Sequence, residues 1–282
     1  MSETTVVVHG ATGTQGTAII RRLRAAGHRI RAVARHPRLA VDPAVEAVPA
    51  DLLDLDALVA AYAGADAVVI QLPLHFAADA VRQADTVLGA LGKTGVPRAV
   101  FNTGGALPTD PVGMPFVDAR IRLAARLPDT VPVASVVGPA STYLENLVAA
   151  WSRPLVHTQG ELRYPMPEQL PNPWLAADDL GAVVADLVVA AAPPTARFVA
   201  GPSALTGPQV AAEIEAATGR RLRWHTIDPQ DYARMLAPHL GEAVASGIAA
   251  AYINPAPLPD PTLVVRGTTT VRAWAARQDW AA

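Results

Sequence analysis

The chain of 282 residues contains no cysteine. This excludes a disulfide framework, a thiolate nucleophile and any zinc or iron–sulfur site built on sulfur ligands, and it fits a reducing cytoplasm. Lysine is nearly as scarce, since Lys93 is the only one among the 23 basic residues. Chemistry that needs an amine therefore has one place to come from. Net charge is also small, a formal -2, which leaves no basic footprint for nucleic acid or anionic lipid. A small molecule is the expected partner. Long hydrophobic runs are missing: "GAVVADLVVAAA" is interrupted by Asp186 and falls well short of the roughly 20 residues a membrane span needs. The opening "MSETTVVVHG" has no basic stretch followed by an apolar run, so a cytoplasmic location is expected. There is no HExxH, no tight cluster of histidines and carboxylates to suggest a metal, and no nucleophile elbow.

What the chain does have is alternation. Residues 4–9, 29–34, 45–48, 66–72, 98–103 and 131–137 are short β-rich runs, each followed by a segment able to form a helix. Repeated strand–helix–strand units imply right-handed crossovers and a parallel, doubly wound α/β sheet, and the apolar density of the runs implies burial on both faces. In the first helix Ile19, Leu23 and Ala26 fall at helical spacing, and Gly27 is placed to end it. From about residue 151 the pattern changes, with proline clusters in "RYPMPEQLPNPW" and "INPAPLPDP" where irregular connections are expected. Between them lie a helix near 176–191, a strand "ARFVAG", a helix near 207–217 and a strand "RLRWHTI". The expected organisation is a nucleotide-binding domain over 1–150, with later segments returning to it, and a smaller α+β substrate lobe over 151–282 capping the C-terminal edge of the sheet.

The motif "VVVHGATGTQGTAII" places Gly10, Gly13 and Gly16 as GxxGxxG directly after the first strand and at the head of the first helix. Glycines there let the backbone approach a pyrophosphate, whose charge the helix N-terminal N–H groups stabilise. Thr12, Thr14 and Gln15 complete the turn. The end of the second strand selects the dinucleotide, because a carboxylate at that point would bond a ribose 2'-hydroxyl and repel a 2'-phosphate. The chain reads "VARHPR" there, so Arg35 and Arg38 point to NADP(H), the bland alternative being ordinary surface arginines.

In order and spacing, these motifs resemble the NmrA-like branch of the atypical short-chain dehydrogenase/reductases over nearly the whole chain. "GATG" and "ARHP" are followed by "ADLLD" (50–54), by "VPVASVVGPASTYLENL", by "WLAADDLGAVVADL", and by "GPSALTGPQVAAEI" with "TGRRLRW". The resemblance implies a Rossmann-like fold, with Asp51 and Leu52 near the adenine and Tyr143 and Asn146 near the nicotinamide end. In the wider superfamily a YxxxK pair does the proton work, the tyrosine donating to a carbonyl oxygen and the lysine lowering its pKa. Here "FVDAR" (116–120) stands in its place. Phe116 has no hydroxyl, and the Arg120 guanidinium stays protonated, so neither serves as an ordinary acid or base.

Other residues are candidates around the nicotinamide. "FNTGG" offers Asn102 and Thr103 to orient a carbonyl, with Gly104 and Gly105 leaving room. His75, following the fourth strand, titrates near neutrality and is the best spare proton donor, against a solvent-facing histidine. Tyr143 has a hydroxyl to donate, and Arg120 could bond a ribose or a substrate. His157, Tyr164 and Trp174 are better read as packing than as pocket residues, and Asp178 and Asp179 as acids at a helix N-terminus. Reduction of an activated acceptor such as a quinone or enone survives the loss of YxxxK better than reduction of a simple ketone. The primary expectation is an NADPH-dependent reductase of a small conjugated or aromatic metabolite. The alternatives are an NADP(H) redox sensor acting through a protein partner, and a redox-neutral cyclase or isomerase. A homodimer is left open.

Overall fold

Valine-rich segments carry the first half of the chain into strands, and segments rich in alanine and leucine between them form helices. The computed structural model describes residues 4–35, 44–74 and 77–280. It divides into two units: Met1–Pro139 with Leu180–Phe198 and Pro259–Val264, and Ala140–Asp179 with Val199–Leu258 and Val265–Ala282.

In the first unit β1 (Thr5–His9) leads to α1 (Thr14–Ala25) and β2 (Arg29–Ala34), then β3 (Glu46–Pro49). There follow α2 (Leu55–Tyr62), β4 (Ala67–Gln71), α3 (Ala80–Thr94), β5 (Arg98–Asn102), α4 (Pro115–Thr130) and β6 (Val133–Pro139). Strands β3, β2, β1, β4, β5 and β6 pair in that order and every pairing is parallel. Val7, Val68, Ile70, Ala99 and Phe101 join one apolar cluster with Leu58 and Tyr62 of α2, Val87 and Leu91 of α3, and Leu123 and Leu127 of α4. The alternate residues Val6, Val8, Val69 and Val100 are equally buried, as a period of two demands of a sheet covered on both faces. At α1 the sequence reading needs correction. Ile19, Ile20 and Leu23 are buried, but Ala26 is exposed, because α1 ends at Ala25 and the chain is already turning into Gly27 at φ +86°.

The second unit contains α5 (Arg153–Gln159) and β7 (Glu161–Tyr164), and α6 (Ala177–Val189) begins in it. Next come β8 (Ala196–Ala200), α7 (Gly207–Thr218), β9 (Arg223–Thr226), α8 (Pro229–Leu240) and α9 (Glu242–Ile253). The chain closes through β10 (Val264–Arg266) and α10 (Val271–Ala275). Strands β8 and β10 extend the main sheet beyond β6 to eight strands, while β7 and β9 form a separate parallel pair. Strand β7 runs into the start of a stretch expected to be irregular: it stops at Tyr164, immediately before Pro165, whose missing N–H cannot continue a ladder. Tyr164, Trp174, Trp224 and Tyr232 are the aromatic centre of this unit's core. That is where packing, rather than a pocket, was expected to use Tyr164 and Trp174. His157 is half-buried on α5. Among the described residues no helix is long and apolar enough to cross a membrane.

Candidate functional site

Strands β1, β4 and β5 are adjacent and wholly apolar in their middles, and each ends in a polar residue: His9, Gln71 and Asn102. The chain runs outward from β1 through β2 to β3, and from β4 through β5 to β6 on the other side. The β1/β4 boundary is therefore the switch point where a doubly wound sheet opens a crevice at its C-terminal edge.

The β1–α1 turn fills this edge. Gly10 has φ +59°, a left-handed conformation that L side chains rarely adopt, and its carbonyl accepts from the Gly13 N–H at 3.0 Å. A Cβ on Gly16 would stand 2.1 Å from the Gly10 carbonyl oxygen, so glycine is what allows the first turn of α1 to pass this close. Gly13, at the N-cap, brings no capping side chain, and the first turn has no acidic residue. Thr12, Gly13 and Thr14 are exposed. Such a turn fits a diphosphate: small, uncharged and headed by the positive end of a helix dipole.

Beside the turn lies a ladder of three side-chain amides. Gln71 Nε2 donates to the His9 carbonyl at 2.7 Å, and Asn102 Nδ2 donates to Gln71 Oε1 at 3.1 Å and to Gln15 Oε1 at 2.6 Å. Asn102 Oδ1 accepts from the Gly104 N–H at 3.1 Å. Asn102, expected to orient a substrate carbonyl, is 2% exposed with its oxygen and nitrogen both engaged by protein groups. Thr103, expected at the cofactor, follows directly after β5. It is fully buried and donates through Oγ1 to the Gly105 carbonyl at 2.7 Å, shaping the turn after β5.

Helix α4 carries the FVDAR segment. Phe116 and Arg120 lie one turn apart, and the guanidinium carbon sits 3.6 Å from the centre of the Phe116 ring. This cation–π stack orders a buried arginine where the superfamily resemblance calls for a tyrosine–lysine pair. A Cβ on Gly104 would stand 3.3 Å from Arg120 Nη2 and 3.8 Å from Gln15 Nε2, so α4 and the glycine turn meet here. Gly104 has φ +66°.

Towards the other end of the crevice, Arg35 is exposed just beyond β2. Asp51 is exposed after β3, its carboxylate accepting from the Leu53 N–H at 2.9 Å, and Leu52 is half-buried beside it. Arg38 and His75 lie outside the described residues. Tyr143 belongs to the second unit, 8% exposed and bridged to Leu175, and Asn146 there donates to the Tyr164 hydroxyl at 3.1 Å. Asp178 and Asp179 open α6 as expected. Asp178 pairs with Arg277 at 3.4 Å, and Asp179 is buried and accepts from the Thr269 N–H and hydroxyl. No group of three or more histidines and carboxylates among the described residues is arranged to hold a metal.

Gln71, Gln15's place in the ladder and His9 escaped the sequence reading. Their signal was there, a single polar residue at the last position of an apolar parallel strand, repeated in three strands. His9 is 1% exposed, its Nε2 lies 2.7 Å from the Tyr62 hydroxyl, and burial drives its pKa from 6.5 down to about 4.

Strand order, switch point and turn together define a doubly wound, Rossmann-like α/β protein with a glycine-rich turn at its switch point. The chain belongs to the NmrA-like family, whose model matches residues 2–253. It is 28% identical over 233 residues to the NAD(P)H azoreductase of Xenophilus azovorans, covering 79% of this chain and 77% of that protein. Among solved structures it resembles the Escherichia coli NADPH-dependent quinone oxidoreductase in complex with NADPH, at 21% identity and TM-score 0.70, over 96% of this chain and 98% of that one. It also resembles NmrA, a negative transcriptional regulator, in complex with NAD, at 18% identity and TM-score 0.66 over 99% of each chain. At these identities the structural likeness speaks for the fold.

Proposed function

We propose that this protein is an NADP(H)-dependent reductase of a small conjugated or aromatic acceptor of the quinone or enone type. The observation that carries this reading is the meeting of the glycine turn with a buried, permanently charged arginine, Arg120, at the position of the absent proton-donating pair. The azoreductase and quinone oxidoreductase similarities support the same class of acceptor. A reduced nicotinamide dinucleotide, when bound, supplies the hydride. Gly10, Thr12, Gly13, Thr14, Gln15 and Gly16 would hold its diphosphate, Arg35 and Arg38 a 2'-phosphate, and Asp51 and Leu52 the adenine end. Gln15 and Arg120 then border the reacting end, where neither Phe116 nor Arg120 gives up a proton. The second unit takes the part of the substrate lobe.

The test is calorimetric titration of cofactor-stripped protein with NADPH, NADP+ and NADH, repeated with Arg35→Glu. NADPH should bind in preference to NADH, and Arg35→Glu should weaken NADPH at least tenfold, about the 1.5–3 kcal/mol of a hydrogen bond to a charged group, while sparing NADH. Equal affinity for both dinucleotides in the wild type would defeat the 2'-phosphate assignment. A sensor reading is favoured by the likeness to the regulator NmrA. It requires tighter binding of NADP+ than of NADPH and no turnover with any quinone or enone.

A further inference from the structure

The amide ladder has one allowed polarity, and its outer end is a donor. At one end the His9 carbonyl can only accept, so Gln71 must turn its nitrogen to it and its oxygen to Asn102. In the middle the Gly104 N–H can only donate, so Asn102 must turn its oxygen to Gly104 and its nitrogen to both glutamines. Gln15 therefore spends its oxygen on Asn102 and presents Nε2 at the other end of its amide. No acceptor among the described residues takes the Nε2 protons. Two fixed backbone groups thus orient a side chain in the glycine turn, through two intermediaries.

The second donor is the Arg120 guanidinium. Its place is set by the stack on Phe116, and Arg120 Nη2 and Gln15 Nε2 lie within 4 Å of the point where a Gly104 side chain would begin, as does Gln15 Oε1, the atom already committed to Asn102. Beside Gly105, the next residue, nothing lies within 4 Å of an added Cβ. A charged donor and a polarity-locked neutral one therefore converge on an open turn at the sheet's C-terminal edge.

We infer that Gln15 Nε2 and the Arg120 guanidinium form a donor pair that holds the negative charge left on the acceptor by hydride addition, in place of a side-chain proton donor. The inference rests on the reductase reading. A C–H bond of the dihydronicotinamide breaks, and its electron pair forms the new bond to hydrogen on the acceptor. One π pair of the acceptor is displaced onto an oxygen or nitrogen, where the donor pair meets it, and a proton from water neutralises that atom afterwards. Preorganised donors aimed at developing charge stabilise it without proton transfer. The substrate class follows. Acceptors whose two-electron-reduced form is a delocalised anion, such as quinones, are turned over, and simple ketones, whose product would be a localised alkoxide, are not.

The experiment is single-turnover oxidation of NADPH by the full-length protein, followed by stopped-flow absorbance with 1,4-benzoquinone and with cyclohexanone. The wild type should reduce the quinone only, at a rate flat between about pH 6 and 9, because neither donor titrates there. Its solvent deuterium isotope effect should be near unity. Arg120→Met and Gln15→Met should each slow the quinone reaction, about 100-fold for the arginine, and Arg120→Met should keep its NADPH affinity by calorimetry within about threefold of wild type. Arg120→Lys should recover part of the loss. A rate that falls with rising pH along one titration, or a solvent isotope effect of about two or more, would overturn the donor pair without requiring a variant to fold. So would an unchanged rate in Arg120→Met with NADPH still bound, and both results leave the reductase reading standing. NADPH bound tightly with no acceptor reduced would end the reductase reading itself.

Discussion

His9 ends β1 with a ring that the fold keeps neutral. Its Nε2 meets the Tyr62 hydroxyl, the two rings stack at 5.6 Å, and burial alone lowers its pKa from 6.5 to about 4. The unfolded chain takes up this proton at a higher pH than the folded one does. The stability His9 contributes is therefore complete above pH 6.5 and is lost as pH falls towards about 4, by about 3 kcal/mol for a shift of this size. Urea unfolding at pH 7.5 and pH 4.5 should show wild type losing about 2–3 kcal/mol more on acidification than the His9→Phe/Tyr62→Phe pair, which removes both hydrogen-bonding groups together. Equal losses in the two proteins would mean that His9 takes up no proton on unfolding. Glu145, whose carboxyl burial pushes up, acts in the opposite sense in both proteins and drops out of the comparison.

Among the elements, close backbone approach separates two superficially similar glycines. Gly181, on α6, faces α1 so tightly that a Cβ would stand 2.8 Å from the Ala18 carbonyl oxygen, a backbone atom that moves only with its helix. On α3, a Cβ at Gly89 would meet nothing nearer than Leu55 Cδ1 at 3.5 Å, an ordinary contact. Alanine improves helix propensity over glycine by up to about 1 kcal/mol at either site, but overpacking costs about 1–3 kcal/mol. Gly181→Ala should therefore destabilise by about 2 kcal/mol while Gly89→Ala is neutral or stabilising, as denaturant midpoints would show. A stable Gly181→Ala protein would mean the two helices part at little cost. Neither distance is visible in the sequence, whose strand–helix order nevertheless places a helix in both regions.

At the scale of the molecule, the chain leaves each unit and returns to it, so contacts between distant segments fix the ends. Asp179, in the first turn of α6, accepts from the Thr269 N–H at 3.0 Å and from its hydroxyl at 2.8 Å, 90 residues further along. Both residues are buried. Asp179→Ala would leave the Thr269 donors without their acceptor and should cost about 3 kcal/mol in urea unfolding, with Asp179→Asn intermediate because its amide oxygen still accepts. A loss below about 0.5 kcal/mol would mean that this long-range tie adds little. In the sequence Asp179 reads as a helix-dipole acid. Its place in the first turn of α6 agrees, but its partner could come only from the tertiary structure.

Apolar alternation, glycine spacing and proline position are local properties. They sufficed to lay out the six parallel strands from β1 to β6 and the turn at Gly10–Gly16, while the reading of FVDAR as lacking a proton donor came from the family resemblance. The short elements β7, β10 and α10, and the helices α8 and α9, were not foreseen, because weak local patterns become definite only when packing supplies what propensity does not. The candidate site divided along the same line. Its glycines and Arg120 were readable from motif and position. The engagement of Asn102 inside a ladder, and through it the fixed polarity of Gln15, depends on hydrogen bonds between residues 31 to 87 positions apart in the chain. A sequence states which groups can donate and accept, and the tertiary structure alone decides which of them meet.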